Sequence, residues 1–322
     1  MEGQEDQIEL KILKCLYWSG NDFSKRPTYW QISKDTGVNL KVISNKMEKM
    51  KTEGFFLGVT VMIDPGILKL KRKGFLGKID GSFGEYEENL LKNCEFIYGY
   101  HILNMEMDLI FLDVIYEHES SLNEYVKKLQ SLIPQINIIE EYESYLRDIV
   151  PDRRSLSIMN LLSENPFIPV NDIATKIEIS SGKVKKYMQR LCQKECMSFV
   201  VSLSSYRNLF ANVSEIFIKV RDGKKEEFLK YVSREVAKNI VYKISNFKNL
   251  IIMGLDLNDL GQSNKIMRKI KSFSGEIEAN LYFPFKMDYS VPEILKSKLI
   301  RSAGMVIQEE ESASMPSEDG QS

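Results

Sequence analysis

Residues 32–56, with the sequence ISKDTGVNLKVISNKMEKMKTEGFF, predict two short helices joined by a tight turn. Gly37 can adopt the positive φ that ends a helix abruptly, and Asn39 is a favourable N-cap for the helix that follows. The second helix carries an apolar stripe at positions i, i+4 and i+7, formed by Ile43, Met47 and Met50. Strand residues then begin at Phe56, so the stretch combines a helical pair with the start of a β-ribbon.

This order of elements is the layout of a winged helix-turn-helix, whose second helix enters the major groove of DNA. The predicted wing runs from Phe55 to Ile63, turns at residues 64–66 and ends in a basic run. That run consists of Lys69, Lys71, Arg72 and Lys73. It is interpreted either as a phosphate-backbone contact or as a strand edge made soluble by lysines.

The chain has 322 residues, enough for two or more domains with separate cores. No apolar run approaches the roughly 20 residues that span a bilayer, and the acidic N-terminus does not resemble a signal peptide. We therefore expect a cytoplasmic protein without membrane contact. The net charge is −1, but five acidic residues and no basic residue follow Arg301, so removing those five charges leaves +4. Local positive surface for a nucleic acid is compatible with this balance.

From Phe75 the pattern changes to strand, helix, two strands, helix and strand, which predicts a split-βαβ, ferredoxin-like domain. Residues 109–112 of its third strand are continuously apolar. Both faces of that strand should therefore be covered, one by the helices and the other by a second sheet.

The whole pattern then repeats. Ile32 corresponds to Ile173 at an offset of 141 positions (173 − 32 = 141), and the same offset holds for four further pairs. These are Val38 with Ile179, Ile43 with Val184, Met47 with Met188, and Val59 with Val200. Because one offset spans both domain types, we predict an α+β chain built from a duplicated two-domain unit. The predicted parts are residues 1–7 (disordered), 8–73 (first winged helix-turn-helix), 74–150 (first ferredoxin-like domain), 151–212 (second winged helix-turn-helix), 213–300 (second ferredoxin-like domain) and 301–322 (disordered acidic tail).

At this point the sequence resembles archaeal Lrp/AsnC-type transcriptional regulators, in which a winged helix-turn-helix precedes a βαββαβ effector and dimerisation domain. The stretches IPQINIIEEY (133–142) and FSGEIEANLY (273–282) resemble the family's entry into its last strand. The family's Gly-x-x-Asp turn is represented only by residues 104–108, without the glycine, and by residues 246–249, with neither residue. The resemblance implies double-stranded DNA as partner, a small-molecule effector between effector domains, and homo-oligomers as a further expectation.

The resemblance also implies that the recognition helix and its turn contact DNA. In the first copy the matching positions are Asn39, Lys41, Ser44, Asn45 and Lys49. In the second copy they are Ser180, Ser181, Lys183, Lys185, Lys186, Gln189 and Arg190. Polar and basic side chains of these types bind phosphates or base edges, and the second helix should hold DNA more strongly. The alternatives are a solvated helix face and a winged helix used only for protein contacts.

The sequence lacks a P-loop, GxGxxG or GxSxG motif, so we expect no enzymatic activity and no cofactor. Cys192 and Cys196 lie one helical turn apart without further Cys or His nearby, and no metal site is expected. His101 and His118 have no nucleophile or carboxylate partner within a recognisable motif. One enzyme class, the siroheme decarboxylases, resembles Lrp/AsnC proteins bearing a tetrapyrrole site, and His101 is the residue that would serve it.

These observations predict an intramolecular pseudo-dimer that regulates transcription. Because the two recognition helices differ in sequence, its operator should consist of two unlike half-sites. The Glu- and Ser-rich tail is expected to compete with phosphate for basic surface.

Overall fold

The computed structural model describes the following residues: 8, 9, 11–13, 15, 16, 28–54, 56–79, 84, 86–103, 108–133, 136–143, 150–204, 213–221, 223–244, 247–256, 260–273, 277–282 and 286–304. The predicted disorder of residues 1–7 and of the acidic tail beyond Gly304 lies outside these ranges. So do residues 104–107 and 246 of the two turns that were compared with the Gly-x-x-Asp motif.

The first helical pair has the elements expected from its sequence. They are α1 (Tyr29–Thr36), α2 (Leu40–Thr52) and the strand β1 (Phe56–Ile63). Gly37 has a φ of 69° and ends α1, while the Asn39 side chain accepts a hydrogen bond from the backbone N–H of Lys41. All three residues of the α2 stripe are buried, together with Ile12, Leu13 and Leu16 from the helical residues nearer the N-terminus. The predicted turn, cap and stripe are therefore confirmed.

The first βαββαβ unit follows. Its elements are β2 (Lys71–Lys78), α3 (Glu87–Asn93), β3 (Ile97–Ile102), β4 (Leu109–Tyr116), α4 (Glu119–Leu132) and β5 (Asn137–Glu143). The strand order β3-β4-β2-β5 is that of a split βαβ motif, as predicted. The first strand begins at Lys71 and not at Phe75, because residues 71–74 pair with residues 113–116 of β4.

The second half begins with three helices and a strand. They are α5 (Arg153–Glu164), α6 (Val170–Lys176), α7 (Ser181–Gln193) and β6 (Met197–Ser204). The second βαββαβ unit then comprises β7 (Val213–Val220), α8 (Lys225–Glu235), β8 (Ile240–Ile244), β9 (Leu250–Asp256), α9 (Leu260–Lys271) and β10 (Ile277–Tyr282). Its four strands form a sheet of order β10-β7-β9-β8.

Two further elements end the described chain, and the sequence analysis did not anticipate either. They are the strand β11 (Lys286–Tyr289) and the helix α10 (Glu293–Ala303). β11 lies between β6 and β3 and joins the wing strands to the first sheet. α10 packs on α5 through Leu295, Leu299 and Ala303, so the ordered chain extends past the predicted boundary at residue 300.

The wing strands pair differently from the prediction. β1 runs antiparallel to β6 over residues 56–63 and 197–203, so each wing strand pairs with the strand from the other half. With β11 they extend the first sheet to seven strands of order β1-β6-β11-β3-β4-β2-β5. The basic residues 71–73 belong to β2, which lies between β4 and the edge strand β5, and not to a wing.

The two sheets pack face to face. Phe111 and Tyr142 of the seven-stranded sheet share one core with Phe217 and Ile252 of the four-stranded sheet. The outer faces are covered by α3 and α4 on one side and by α8 and α9 on the other. The prediction that the third strand is covered on both faces is confirmed, and the α+β class with antiparallel sheets is confirmed with it. Within the described ranges, every helix is too short or too polar to cross a bilayer.

Candidate nucleic-acid interface

Helix α7 is fixed by a cap at one end and an apolar stripe along its length. The Ser180 hydroxyl accepts a hydrogen bond from the backbone N–H of Lys183, at 3.4 Å, and so satisfies one of the free donors at the helix start. Val184, Met188 and Leu191 recur at helical spacing and are buried against the core. The opposite side of the helix is thereby held towards solvent.

The solvent side of α7 carries the basic residues predicted for the second copy. Lys183, Lys185, Lys186 and Arg190 are exposed, and we call this set the basic face of α7. In the described part of the chain, none of the four has a carboxylate within 4 Å. Ser180 and Gln189 are exposed beside them, and Ser181 is half-buried, with its hydroxyl donating to the Asn171 side chain at 2.7 Å. All seven predicted positions therefore lie on or beside one accessible surface, where four positive charges are available to phosphates.

A surface cavity of about 530 Å³ opens at the N-terminal end of α7. Arg154 from α5, Asn171 from α6, and Ser180 and Lys183 from α7 contribute to its wall. Exposed Arg154 therefore lies in the same cavity wall as Lys183, at the start of the basic face.

Helix α2 presents a different surface at the equivalent positions. Asn39, Lys41, Asn45 and Lys49 are exposed and Ser44 is half-buried, so the predicted first-copy residues also reach one side of a helix. The side chain of Asn39 is engaged as the helix cap, at 2.8 Å from the backbone nitrogen of Lys41.

Apolar and acidic residues lie among those positions. Leu40 is 45% exposed, Val42 is 39% exposed, and Trp30 of α1 is 62% exposed. Glu48 is also exposed and pairs with Lys51 at 3.2 Å. The outward side of α2 thus combines few net positive charges with an apolar surface.

The basic run at 69–73 requires a correction. Arg72 is buried, and its guanidinium forms a two-point ion pair with Asp113, with Nε 2.7 Å from Oδ1. Lys71 pairs with Glu119 at 2.7 Å, and Lys73 pairs with Glu141 at 2.6 Å. The prediction of a DNA contact is wrong for Arg72, because its side chain is buried between the two sheets and is held there by Asp113 and the Phe247 ring.

Burial alone would lower the pKa of Arg72, but the neighbouring Asp113 carboxylate outweighs this and raises it. The guanidinium also lies over the Phe247 ring, 4.8 Å from its centroid. Arg72 is therefore a charged residue held inside the sheet-to-sheet contact.

A second buried polar group joins the two sheets. His101 of β3 contacts the carboxylate of Glu215 of β7 through Nδ1 at 2.8 Å, and the hydroxyl of Tyr289 of β11 through Nε2 at 2.8 Å. Both His101 and Glu215 are fully buried, and burial holds the pKa of Tyr289 well above its ordinary value. His101 therefore has a carboxylate partner that the sequence analysis missed. The two residues are 114 positions apart, so no local motif could have signalled the contact.

Gly99 is needed for this arrangement. A Cβ at this position would lie 2.2 Å from the Tyr289 ring, well inside van der Waals contact. The close approach lets Tyr289 pack over β3 and reach His101.

The remaining candidates occupy structural positions. Cys192 and Cys196 are buried, and the described residues contain no group of three or more potential metal ligands. His118 is exposed and precedes the first turn of α4.

Comparison with protein families shows one match, covering residues 151–196, to a model described as a winged helix-turn-helix DNA-binding domain. A comparison of the sequence with curated proteins finds no significant match. The chain therefore contains a winged helix-turn-helix of the DNA-binding class, formed by α5, α6 and α7.

The similar solved structures cover either nearly the whole of this chain or about two fifths of it. The siroheme decarboxylase NirDL is similar over 93% of this chain and 98% of its own, with 12% identity and a TM-score of 0.43. E. coli AsnC is similar over 41% of this chain and 92% of its own, with 12% identity and a TM-score of 0.24. An AsnC family transcriptional regulator from Agrobacterium tumefaciens covers 41% of this chain and 89% of its own, with 16% identity and a TM-score of 0.23. Similarity to AsnC/Lrp regulators is thus present over part of the chain.

The expectation that this chain is not an enzyme is corrected by these comparisons. A solved structure that is similar over nearly the whole chain is that of a siroheme decarboxylase. With 12% identity and a TM-score of 0.43, this similarity assigns neither an activity nor a substrate to this chain.

Proposed function

We propose that this chain is a DNA-binding transcriptional regulator in which α7 makes the principal contact with the DNA backbone. The observation that carries the proposal is the basic face of α7. Its four exposed cations have no carboxylate partner among the described residues, and they lie within the segment that matches a DNA-binding winged helix-turn-helix. Phosphate contacts of this kind release counterions and supply much of the affinity of DNA-binding proteins.

The proposed contact set is drawn from the sequence, with Arg72 left out because it is buried. It consists of Ser180, Ser181, Lys183, Lys185, Lys186, Gln189 and Arg190 in the second copy, and of Asn39, Lys41, Ser44, Asn45 and Lys49 in the first. Lys71 and Lys73 are paired with glutamates and would contribute only after exchanging those partners.

We further propose that the two halves are copies of one unit and form a pseudo-dimer within the chain. The pairing of β1 with β6 supports this, since Val59 lies opposite Val201 and Thr60 lies opposite Val200. Val59 corresponds to Val200 at the offset of 141, and Thr60 corresponds to Val201 at the same offset (201 − 60 = 141). Exchanging the two halves therefore converts one pair into the other, which is the relation expected across a two-fold axis.

Positions with positive φ also agree with a duplicated unit. Gly37 and Glu178 have φ values of 69° and 54°, and Gly54 and Glu195 have values of 69° and 53°. Both pairs are separated by the same offset of 141. A pseudo-dimer would present its recognition helices about one DNA turn, roughly 34–36 Å, or a multiple apart, to two unlike half-sites.

The direct test measures binding to genomic and random-sequence DNA across a salt series. The variants are Lys185→Ala/Lys186→Ala in α7 and, as the matched control, Ser44→Ala/Asn45→Ala at the equivalent positions of α2. We expect the α7 variant to bind more weakly, with the slope of log K against log salt smaller by about 2, since each lost phosphate contact removes about 0.9. The α2 control should leave the slope unchanged.

Absence of binding by the wild type at low salt would refute the proposal. The same preparations should then be titrated with siroheme and followed by visible absorbance, which tests the enzyme-like alternative directly. A new porphyrin band shifted from that of free siroheme would favour a tetrapyrrole function. In the structure, both nitrogens of His101 are occupied by Glu215 and Tyr289, so such binding would require these contacts to open.

A further inference from the structure

The last described residue of the chain lies beside the second winged helix. α10 ends at Ala303, and the Arg153 side chain holds this end through hydrogen bonds to the carbonyls of Ala303, at 2.7 Å, and Gly304, at 3.2 Å. Arg153 is the first residue of α5, and the next residue, Arg154, lines the cavity at the start of α7. The chain after Gly304 therefore leaves the fold at the first turn of α5, and Arg154 of that turn shares a cavity wall with Lys183 of α7.

The sequence after Gly304 is complementary in charge to that surface. Residues 305–322 have the sequence MVIQEEESASMPSEDGQS, with five carboxylates and no Lys, Arg or His. The carboxylates belong to Glu309, Glu310, Glu311, Glu318 and Asp319. These carboxylates and the cations of the basic face of α7 attract each other over short distances at low ionic strength, and salt screens the attraction.

The length of this segment is sufficient to cover the helix. α7 has 13 residues and is about 20 Å long at 1.5 Å per residue. Glu309 is five positions after Gly304, a reach of up to about 17 Å, and the 18 residues from 305 to 322 reach at most about 60 Å. The extended segment is therefore about three times as long as the helix that it would cover.

We propose that residues 305–322 dock on the basic face of α7 and compete with DNA for it. The inference rests on the proposed DNA contact of α7, and it adds an occupant to that surface in the absence of DNA. The carboxylates take the places of DNA phosphates beside Lys183, Lys185, Lys186 and Arg190. Because the segment is tethered, its effective concentration at the helix is on the order of 1 mM. If the same segment as a free peptide binds α7 with a Kd of about 0.3 mM, the tethered segment weakens DNA binding roughly fourfold.

The test uses the full chain with a neutral tail, carrying Glu309→Gln, Glu310→Gln, Glu311→Gln, Glu318→Gln and Asp319→Asn. Its matched control loses the same number of charges from helices and a turn on the outer faces of the sheets, through Glu88→Gln, Glu95→Gln, Glu124→Gln, Glu226→Gln and Glu227→Gln. At about 50 mM salt, the neutral tail should tighten DNA binding about fourfold relative to this control, and the difference should vanish at about 500 mM salt. Equal affinities of the two variants at low salt would overturn the proposal.

A second measurement needs no DNA. A fluorescent peptide with the sequence of residues 305–322 should bind the neutral-tail protein, and Lys185→Ala/Lys186→Ala in that protein should weaken binding at least threefold. Peptide binding without DNA binding by any variant would support the docking surface and refute the proposed function. DNA binding by both proteins without peptide binding, or peptide binding that ignores the double substitution, would refute the docking proposal alone.

Discussion

The helices α2 and α7 pack in the same way but present different surfaces to solvent. Each has 13 residues, a side-chain cap before its first turn and a stripe of three or more buried residues. At the remaining positions the two helices differ: Leu40, Val42 and Glu48 of α2 correspond, at the offset of 141, to Ser181, Lys183 and Gln189 of α7. The buried stripe and the cap are similar because both helices must pack against a core. The outward face is free to differ, and it decides what each helix can bind.

The match to a DNA-binding winged helix-turn-helix covers residues 151–196, which include α7. The basic face of α7 has charges for a phosphate backbone, whereas α2 offers an apolar surface around Trp30, Leu40 and Val42. Such apolar side chains suit thymine methyl groups or a protein partner. We therefore expect the two helices to make unequal contributions to DNA affinity.

The largest expected effect tests whether α2 and α7 are packed equally well against the core. Met47 and Met188 are both fully buried at corresponding positions. Met47→Ala and Met188→Ala should each lower the free energy of unfolding by about 2–5 kcal/mol, because each leaves a cavity in a packed core. Chemical denaturation measures this, with Glu48→Ala and Gln189→Ala on the exposed sides as controls that change stability by less than about 0.5 kcal/mol. A large loss from only one methionine would contradict equivalent packing.

The next effect tests whether α2 faces DNA at all. Ser44→Lys/Asn45→Lys gives α2 the lysines that α7 has at positions 185 and 186. If α2 lies in a groove, two added phosphate contacts should tighten binding about thirtyfold at 0.1 M salt, roughly 2 kcal/mol. The neutral control Ser44→Gln/Asn45→Gln adds side-chain length without charge. Unchanged affinity in the lysine variant would assign α2 to protein contacts.

The smallest effect concerns the turn before each recognition helix. Gly37 and Glu178 both have positive φ, and a Cβ at Gly37 would meet no atom within 4 Å. Gly37→Ala should therefore cost about 1–2 kcal/mol purely through backbone conformation, whereas Glu178→Ala exchanges one Cβ-bearing residue for another and should cost little. Glu178→Gly should stabilise the second copy by up to about 1 kcal/mol. Thermal or chemical denaturation of the three variants checks the order, and a large cost for Glu178→Ala would point to a side-chain role at that position.

The sequence by itself determined the local architecture of this protein. The turn at Gly37, the cap at Asn39 and the stripes of α2 and α7 are encoded within a few residues, so their periodicity and caps predict them directly. The strand orders of both βαββαβ units also follow from the order of their elements. The seven candidate positions on and before α7, six of them exposed and Ser181 half-buried, were found in the same way, because the solvent side of an amphipathic helix lies opposite its buried stripe.

Only the tertiary structure decided which distant segments meet. The pairing of β1 with β6, the insertion of β11, the burial of Arg72 and the contact of His101 with Glu215 all join residues that are far apart in sequence or belong to different sheets. A strand exposes similar backbone donors and acceptors to any neighbour, so its sequence does not specify the partner. The sequence around a basic residue in a strand likewise does not show whether the residue will have a buried carboxylate partner. The basic run at 71–73 was therefore assigned to the surface by sequence, and its arginine was placed in the core by its pairing with Asp113.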